Sequence, residues 1–141
     1  LETGKIRPIK VTEAGDCGQP VNPMSVEGQV EGSIMFAMGQ ALYEEIKLDS
    51  DGRIINPSLH DYKVPTPLEL PEIDANIVDS YDPTAPFGVK ESGEGPVQPT
   101  IPAIVNAIYD AIGVRFYDLP ITPEKVLKAI KEKQGKIDAN K

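Results

Sequence analysis

Apolar and polar positions alternate in the two stretches of the chain that predict β-strands. Residues 5–13, KIRPIKVTE, alternate apolar with basic side chains, which is the two-residue period of a strand with one buried face. Pro8 lacks a backbone N–H and confines this strand to a sheet edge or a strand start. Residues 73–80, IDANIVDS, alternate in the same way. At 44–55, two short apolar runs around DSDG indicate a hairpin.

Three other segments repeat their apolar residues at helical spacing. Residues 24–46 form one apolar stripe, with Ser25 as the expected N-cap. Residues 100–113 predict a second helix with Pro102 in its first turn and a glycine at its end. Residues 122–133 predict a third helix, with threonine as its cap and proline at its first position. Strands, a hairpin and about three helices predict an α+β fold with a mixed sheet.

The 141 residues have the length of one ordinary domain. We therefore predict a single domain over 1–141, with 134–141 as a frayed tail. The high content of proline (14 residues) and glycine (12 residues) indicates that much of the chain is well-defined loop. The longest predicted loops are 56–73 and 81–99, and residues 14–23 form a shorter turn-rich one.

The charge balance argues against several classes of partner. Fourteen Lys and Arg against 22 Asp and Glu give a net charge of −8, which repels phosphate backbones and anionic membrane surfaces. No apolar run approaches the roughly 20 residues of a membrane span, and no secretory signal pattern stands at the start. We thus expect neither nucleic acid nor membrane as a partner. The single cysteine and the lack of a secretory signal pattern indicate a reducing cytoplasm as the compartment.

The single cysteine and single histidine limit metal and nucleophilic chemistry. One cysteine, Cys17, excludes an internal disulfide framework. One cysteine and His60 do not make a protein-only zinc or iron–sulfur site, so we predict no protein metal ligands. His60 and Asp61 are neighbours in an extended segment, where adjacent side chains point apart. Cys17 is most simply a small buried hydrophobe.

A glutamate between two glycines, in FGVKESGEGPV, is the strongest candidate for chemistry. Gly93 and Gly95 allow unusual backbone conformations or close approach of a ligand at Glu94. The helix that follows offers free N–H groups to an anion or an oxygen-rich ligand. A carboxylate in a dry pocket would have a raised pKa and could act as a base. On the residues alone, a solvated acidic loop remains the favoured interpretation of Glu94.

The glycines of the first helix have two interpretations. Gly28, Gly32 and Gly39 recur four and seven residues apart, on or near one side. They indicate either tight packing against the rest of the fold or close approach by something large.

Four motifs in a fixed order carry a family resemblance. They are GQVEGSIMFAMGQALYEE at 28–45, DYKVPTP at 61–67, GVKESGEGPVQPTIPAIVNAIYDAIGVR at 88–115 and LPITPEKVLKAI at 119–130. Together they resemble the C-terminal end of the large, molybdenum-binding subunit of the xanthine oxidase family of molybdenum hydroxylases. The third motif is most similar to the 4-hydroxybenzoyl-CoA reductase α-subunit and to bacterial xanthine dehydrogenase-like subunits. The fold implied is the C-terminal molybdopterin-binding domain.

The resemblance implies roles for particular residues. The family's active-site glutamate, which takes a proton as oxygen is transferred to an electron-poor carbon, matches Glu94. Glu91 matches a variable position and is expected to be structural or to face solvent. The residues implied to contact or line the cofactor are Gln29, Gly28, Gly93, Ser92 and Lys90.

The resemblance also implies partners that a chain of this length lacks. The cofactor would be molybdenum–molybdopterin cytosine dinucleotide, bound only in the assembled enzyme, so the isolated chain would be apo and inactive. The expected partners are the remainder of the large subunit, iron–sulfur and flavin subunits, and a small aromatic or N-heterocyclic substrate. The alternative is an inactive orphan fragment with a structural or subunit-interaction role. That alternative predicts a broad exposed apolar surface and self-association through it.

Overall fold

Two parallel strands and three helices make up the fold of the computed structural model, which describes residues 2–78 and 80–139. Along the chain they are β1 (Lys10–Gly15), α1 (Pro23–Leu42), β2 (Glu72–Ile77), α2 (Val97–Ile112) and α3 (Pro123–Ala139), with a short 3₁₀ turn at Pro86–Gly88 before α2. The predicted α+β class is confirmed. No helix within the described residues is long and apolar enough to cross a membrane.

The sheet differs from the predicted mixed sheet because β1 and β2 pair in parallel, from Lys10 opposite Glu72 to Gly15 opposite Ile77. Among the described residues, antiparallel pairing is limited to isolated bridges. One of these, between Leu48 and Ile54, confirms the predicted hairpin. The first strand begins later than predicted, after the proline-containing segment 5–9, because proline cannot contribute an N–H to a ladder.

Helix α1 begins earlier than predicted. Its N-cap is Asn22, whose side-chain oxygen accepts a hydrogen bond from the Ser25 N–H at 3.2 Å. The prediction of Ser25 as N-cap is wrong because Pro23 fits the first turn, where no N–H is needed. At the other end, the N–H groups of Tyr43 and Glu44 both donate to the Gly39 carbonyl, and the helix stops there.

The core lies where α1, α2 and the start of α3 meet. Met38 and Leu42 of α1 pack with Ile104 and Ile108 of α2 and with Val126 of α3. The helical apolar stripes predicted from the sequence therefore face one another. This core fixes α1 against α2, and through them the loops that precede each helix.

Helix α2 also starts earlier than the predicted Thr100. Its N-cap is Pro96, so Pro102 lies inside the helix and not in its first turn. The Thr100 hydroxyl is buried and donates to the Pro96 carbonyl at 2.7 Å, bonding back within the helix instead of capping it. The predicted stop at Gly113 is confirmed, with a left-handed φ of 64°.

Helix α3 runs on through residues 134–139, which the sequence predicts to be a frayed tail. The Lys133 ammonium donates to the Ile112 carbonyl at 2.7 Å and ties α3 to the end of α2. Lys136 adds a positive charge in the last turn, where the helix dipole favours it. Residues 140 and 141 of the predicted tail lie outside the described residues.

Many large apolar side chains remain exposed. Ile9, Leu68, Phe87 and Tyr117 are each more than 80% exposed, and the hairpin and the outer face of α1 add further aliphatic and aromatic residues. Exposed apolar residues that form one large patch commonly mark a surface that another protein covers. The broad apolar surface and the self-association that the orphan-fragment alternative predicts both stay predictions.

Candidate active-site loop

Two loops meet at the carboxyl end of the parallel strands, where α/β folds commonly place ligand sites. Residues 16–19, directly after β1, run antiparallel to residues 88–90. The Gln19 N–H donates to the Gly88 carbonyl at 2.8 Å, and the Lys90 N–H donates to the Cys17 carbonyl at 2.7 Å. Gly18 has a φ of 67°, and a Cβ there would collide with the Gly88 carbonyl. The close approach of the two loops therefore needs glycine at position 18.

Asp16 joins the two loops electrostatically. Its carboxylate accepts hydrogen bonds from the Gly18 N–H at 2.9 Å and from the Ser80 hydroxyl, and lies 2.7 Å from the Lys90 ammonium. The hydrogen bonds from Lys90 and Ser80 lower the pKa of Asp16, and the bond to Asp16 raises the pKa of Lys90. Lys90, implied by the resemblance to line the cofactor pocket, thus carries an ion pair. Sequence reasoning missed Asp16, although an aspartate two residues before a glycine is a signal for an Asx-turn.

Glu91 closes the loop in which Glu94 lies. One oxygen of the Glu91 carboxylate accepts from the Glu94 N–H at 2.6 Å and from the Gly95 N–H at 3.0 Å. These hydrogen bonds, with Gly95 contributing most, lower the pKa of Glu91. Glu91 thus holds the two N–H groups that precede α2. The N–H groups of Val97 and Gln98 at the start of α2, which the sequence predicted to be free for an external anion, donate instead to the carbonyls of Glu94 and Gly95. Of the two interpretations of Glu91, the structural one fits this geometry.

Glu94 has an ordered backbone and an exposed side chain. Its N–H donates to Glu91, and its carbonyl accepts from the Val97 N–H at 3.1 Å in the first turn of α2. Within residues 2–78 and 80–139, the Glu94 carboxylate makes no hydrogen bond or ion pair. The dry pocket that a base requires is thus not formed around Glu94 by the described part of this chain.

Of the two glycines beside Glu94, Gly95 allows a close approach of the Glu91 carboxylate, and neither glycine adopts an unusual backbone angle. Neither Gly93 nor Gly95 has a positive φ. A Cβ at Gly95 would lie 2.9 Å from the Glu91 carboxylate, and two N–H groups already hold that carboxylate. A Cβ at Gly93 would lie 3.5 Å from the Gln29 side-chain oxygen, an ordinary contact distance.

Helix α1 holds the same loop from the other side. The Ser33 hydroxyl is buried and donates to the Gly93 carbonyl at 2.5 Å. Ser33 lies four residues after Gln29, on the same face of α1, and this spacing is the signal by which it could have been found. Two side chains therefore hold the backbone of the loop: Glu91, which belongs to the loop, and Ser33, which belongs to α1.

The structure brings some predicted cofactor contacts together and leaves others apart. A pocket of about 220 Å³ is lined by Gln29, Lys90 and Ser92, together with Asn22 and Ser25 among others. Gly93 adjoins Gln29 beside this pocket.

Gly28 does not line the pocket, and a Cβ placed at Gly28 or at Gly32 would meet nothing within 4 Å beyond the backbone of α1 itself. Of the two interpretations of these glycines, tight packing holds only for Gly39, which adjoins Glu44 and Pro65. The backbone of α1 at Gly28 and Gly32 is open to approach from outside.

The remaining candidates from the sequence have ordinary roles. Cys17 is 4% exposed and packs as a buried hydrophobe. His60 is exposed, and its carbonyl accepts a hydrogen bond from the Lys63 ammonium. Within the described residues, no three His, Cys, Asp or Glu side chains are grouped so that they could hold a metal ion.

Sequence comparison identifies the class of protein to which this fold and loop belong. The family model described as a molybdopterin cofactor-binding domain matches residues 1–71. The chain belongs to this family, and it is part of the molybdenum-binding subunit found in the xanthine oxidase family of enzymes.

Individual relatives agree with this assignment. The xanthine dehydrogenase molybdenum-binding subunit of Escherichia coli O157:H7 is 37% identical over 123 residues, covering 86% of this chain and 16% of that protein. The nicotine 6-hydroxylase large subunit of Paenarthrobacter nicotinovorans is 35% identical over 132 residues, covering 92% of this chain and 16% of that protein. This chain therefore spans about one-sixth of the length of these relatives.

Solved structures confirm the fold. The aldehyde oxidoreductase of Desulfovibrio gigas superposes with a TM-score of 0.84 and 34% identity, over 92% of this chain and 14% of that one. Quinoline 2-oxidoreductase of Pseudomonas putida 86 superposes with a TM-score of 0.83 and 36% identity, over 89% of this chain and 16% of that one.

The residues around the loop suit a cofactor of the pterin type. The Gln29 amide and the Ser92 hydroxyl offer donors and acceptors beside one pocket. The open backbone at Gly28 would admit a flat molecule closely, where a side chain would obstruct it. The residues present therefore fit the molybdopterin cofactor that the family binds.

Proposed function

We propose that this chain is the C-terminal part of a molybdenum-cofactor-dependent oxidoreductase of the xanthine dehydrogenase and 4-hydroxybenzoyl-CoA reductase type. In this proposal it forms a single domain of the large subunit, and Glu94 is the active-site base. The cofactor contacts are Gln29, Gly28, Gly93, Ser92 and Lys90.

The observation that carries this proposal is the placement of Glu94. Its backbone is held by Glu91 and by the first turn of α2, while its side chain is exposed and its carboxylate makes no hydrogen bond or ion pair within the described residues. A fixed backbone with a free carboxylate suits a group that must reach a reacting atom supplied by another part of the enzyme.

In the assembled enzyme, the remainder of the subunit would cover the loop and exclude water from Glu94. Desolvation favours the neutral form of a carboxyl group and makes the carboxylate a better base near neutral pH. Glu94 would accept the substrate-derived or water-derived proton, and Ser33 and Glu91 would hold the loop while it does so. When bound, the molybdenum cofactor supplies the two-electron redox chemistry of the reaction.

Gln29 and Ser92 would hold the cofactor through hydrogen bonds at the 220 Å³ pocket. Lys90 would act there mainly through its ion pair with Asp16, which fixes the start of the loop. We propose the cytosine dinucleotide form of the cofactor, iron–sulfur and flavin subunits as electron-transfer partners, and a small aromatic or N-heterocyclic substrate.

The test is to co-express this chain with the remainder of a large subunit and its partner subunits. The measurements are bound molybdenum and dye-linked oxidation of N-heterocycles. Glu94→Gln should lower turnover by at least about 100-fold, the lower range for a general base, and leave the molybdenum content unchanged. Gln29→Ala should lower the molybdenum content itself.

Unchanged turnover in the Glu94→Gln enzyme would refute the role of Glu94. The wild-type complex and a variant at an exposed glutamate far from the loop, Glu132→Gln, serve as controls. Glu132 lies on α3 and lines none of the pocket that holds Gln29.

The orphan-fragment function is a second candidate because so many large apolar side chains are exposed. In that case the chain would fail to join the remainder of the subunit. It would instead self-associate in a concentration-dependent way, which sedimentation velocity would detect.

A further inference from the structure

The strand β1 has one edge paired with β2 and one edge that no described residue pairs. The Glu72 N–H donates to the Ile9 carbonyl at 3.0 Å, and the Val78 N–H donates to the Gly15 carbonyl at 2.9 Å. Every second residue of β1 therefore directs its backbone groups to β2. The alternate residues Lys10, Thr12 and Ala14 direct theirs to the other edge, and all three are exposed.

The first half of this strand, Lys10–Thr12, lines a groove together with the segment that precedes it. Helix α1 packs over the two strands, while α2 packs along α1 and hardly touches either strand. The space between α2 and residues 4–12 is a groove of about 680 Å³. The wall that α2 contributes includes Ala103, Ala107 and Ala111, which are exposed and repeat every four residues along one face.

We infer that this groove receives an extended apolar strand from the remainder of the subunit, which pairs with the free edge of β1 beneath α2. The inference rests on the proposed function, since it takes the remainder of the subunit as the occupant. This chain spans 16% of the length of its relatives, so a long polypeptide is available to supply that strand.

The free edge selects a strand over a helix or a small molecule. Lys10, Thr12 and Ala14 present a row of backbone donors and acceptors at strand spacing, which only another strand satisfies in full. Parallel sheets are also normally covered on both faces and extended beyond two strands. A third strand beside β1 would extend the two-stranded sheet and would lie under α2, which hardly touches the sheet in this chain.

The side chains of the groove specify the character of that strand. The alanine face of α2 lets a neighbouring backbone come close, and Ile9, 83% exposed, offers an apolar contact at the entrance. Lys5 and Arg7 are exposed beside the groove. Lys5 interacts electrostatically with Glu69, whereas Arg7 makes no ion pair within the described residues. The strand would therefore be apolar along the groove and carry an acidic residue near Arg7.

The experiment uses two variants in the co-expressed complex with the remainder of the subunit. Thr12→Pro removes an N–H that faces the free edge and leaves the bonds to β2 intact. Ala107→Trp fills the groove. Each should weaken the complex about 10-fold or more in Kd, the scale expected for a lost ladder hydrogen bond with a steric clash. In the wild-type complex, hydrogen exchange at residues 10–14 should slow on assembly.

The matched controls are Thr12→Val, which keeps the N–H, and Asp110→Trp, an exposed position of α2 outside the groove. Both should assemble like the wild type. Normal affinity of Thr12→Pro and Ala107→Trp would overturn the inference, even if Glu94→Gln still abolishes turnover and so upholds the proposed function. Failure of the wild-type chain to join the subunit would overturn both. Protection of residues 10–14 by self-association alone would make a second copy the occupant and overturn the assignment to the remainder of the subunit.

Discussion

Replacing Glu91 by glutamine removes the negative charge that holds the loop around Glu94 and keeps an oxygen that can accept hydrogen bonds. In the structure, the Glu91 carboxylate accepts from two backbone N–H groups, those of Glu94 and Gly95, at 2.6 and 3.0 Å. The substitution therefore tests the charge of this residue with little change in its shape.

The size of the effect follows from the two hydrogen bonds. A hydrogen bond to a charged group contributes roughly 1.5–3 kcal/mol and one between neutral groups roughly 0.5–1.5 kcal/mol, so the charge adds about 1 kcal/mol per bond. Glu91 is exposed, and solvent screening reduces this sum to about 1 kcal/mol for the pair. For a chain of this length, that loss lowers Tm by about 4 °C.

The effect should depend on pH with a definite sign. Because the pKa of Glu91 is lowered in the folded chain, its charge stabilises the fold fully above its unfolded pKa. That contribution is lost as the pH falls through the lower, folded value. Wild type and Glu91→Gln should thus differ most at pH 7 and begin to converge near about pH 4, the ordinary range for glutamate. They should become equal only below the lowered pKa that Glu91 has in the folded chain.

Urea denaturation followed by circular dichroism, at pH 7 and at pH 3, measures both quantities. Glu94→Gln is the control, because the Glu94 carboxylate makes no hydrogen bond within the described residues and its loss should change stability by less than about 0.5 kcal/mol. Equal stability of Glu91→Gln and wild type at pH 7 would refute the closing role of Glu91. A difference that persists unchanged at pH 3 would show that charge is not its cause.

Two further substitutions test residues next to the loop, one on α1 and one in the segment after β1. Gly28→Ala should raise the free energy of unfolding of the isolated chain by about 0.5–1 kcal/mol, because alanine is the better helix former and a Cβ at this position meets nothing. In the assembled enzyme, the same substitution should lower the molybdenum content if Gly28 borders the cofactor. Asp16→Asn should speed hydrogen exchange at the Lys90 N–H at neutral pH, since it removes the charge that holds the Lys90 ammonium. Exchange that is as slow as in wild type would contradict the role given to Asp16.

The fold could be predicted from the sequence where a local pattern decides it. The three helices, the hairpin at Asp49–Gly52 and the stop at Gly113 follow from periodicity and turn residues. The starts of α1 and α2 were misplaced because Asn22 and Thr100 each bond to groups whose positions depend on neighbouring turns. The start of α3 at Pro123, after Thr122, agrees with the prediction. The parallel pairing of β1 with β2 depends on the path of the whole intervening chain, which no local pattern encodes.

The candidate site could likewise be predicted from the sequence only in part. The glycine-flanked Glu94 is visible in the sequence, and so is Gln29 through its motif. The partners that hold the loop are not visible, because Ser33 reaches Gly93 across 60 positions and Lys90 reaches Asp16 across 74. A serine or an aspartate becomes informative only when the fold shows what lies opposite it.

The separation between Asp16 and Lys90 also has a consequence for biosynthesis. These two residues are 74 positions apart, and translation adds about 5–20 residues per second. Residues 16–19 therefore leave the ribosome roughly 4–15 s before the segment that pairs with them. Until β2 and then residues 88–90 have been synthesised, β1 and the loop after it lack the partners seen in the structure. The nascent chain therefore exposes a strand edge that a chaperone can reach. The loop proposed to perform the chemistry can therefore be fixed only after the second of its two segments has been synthesised.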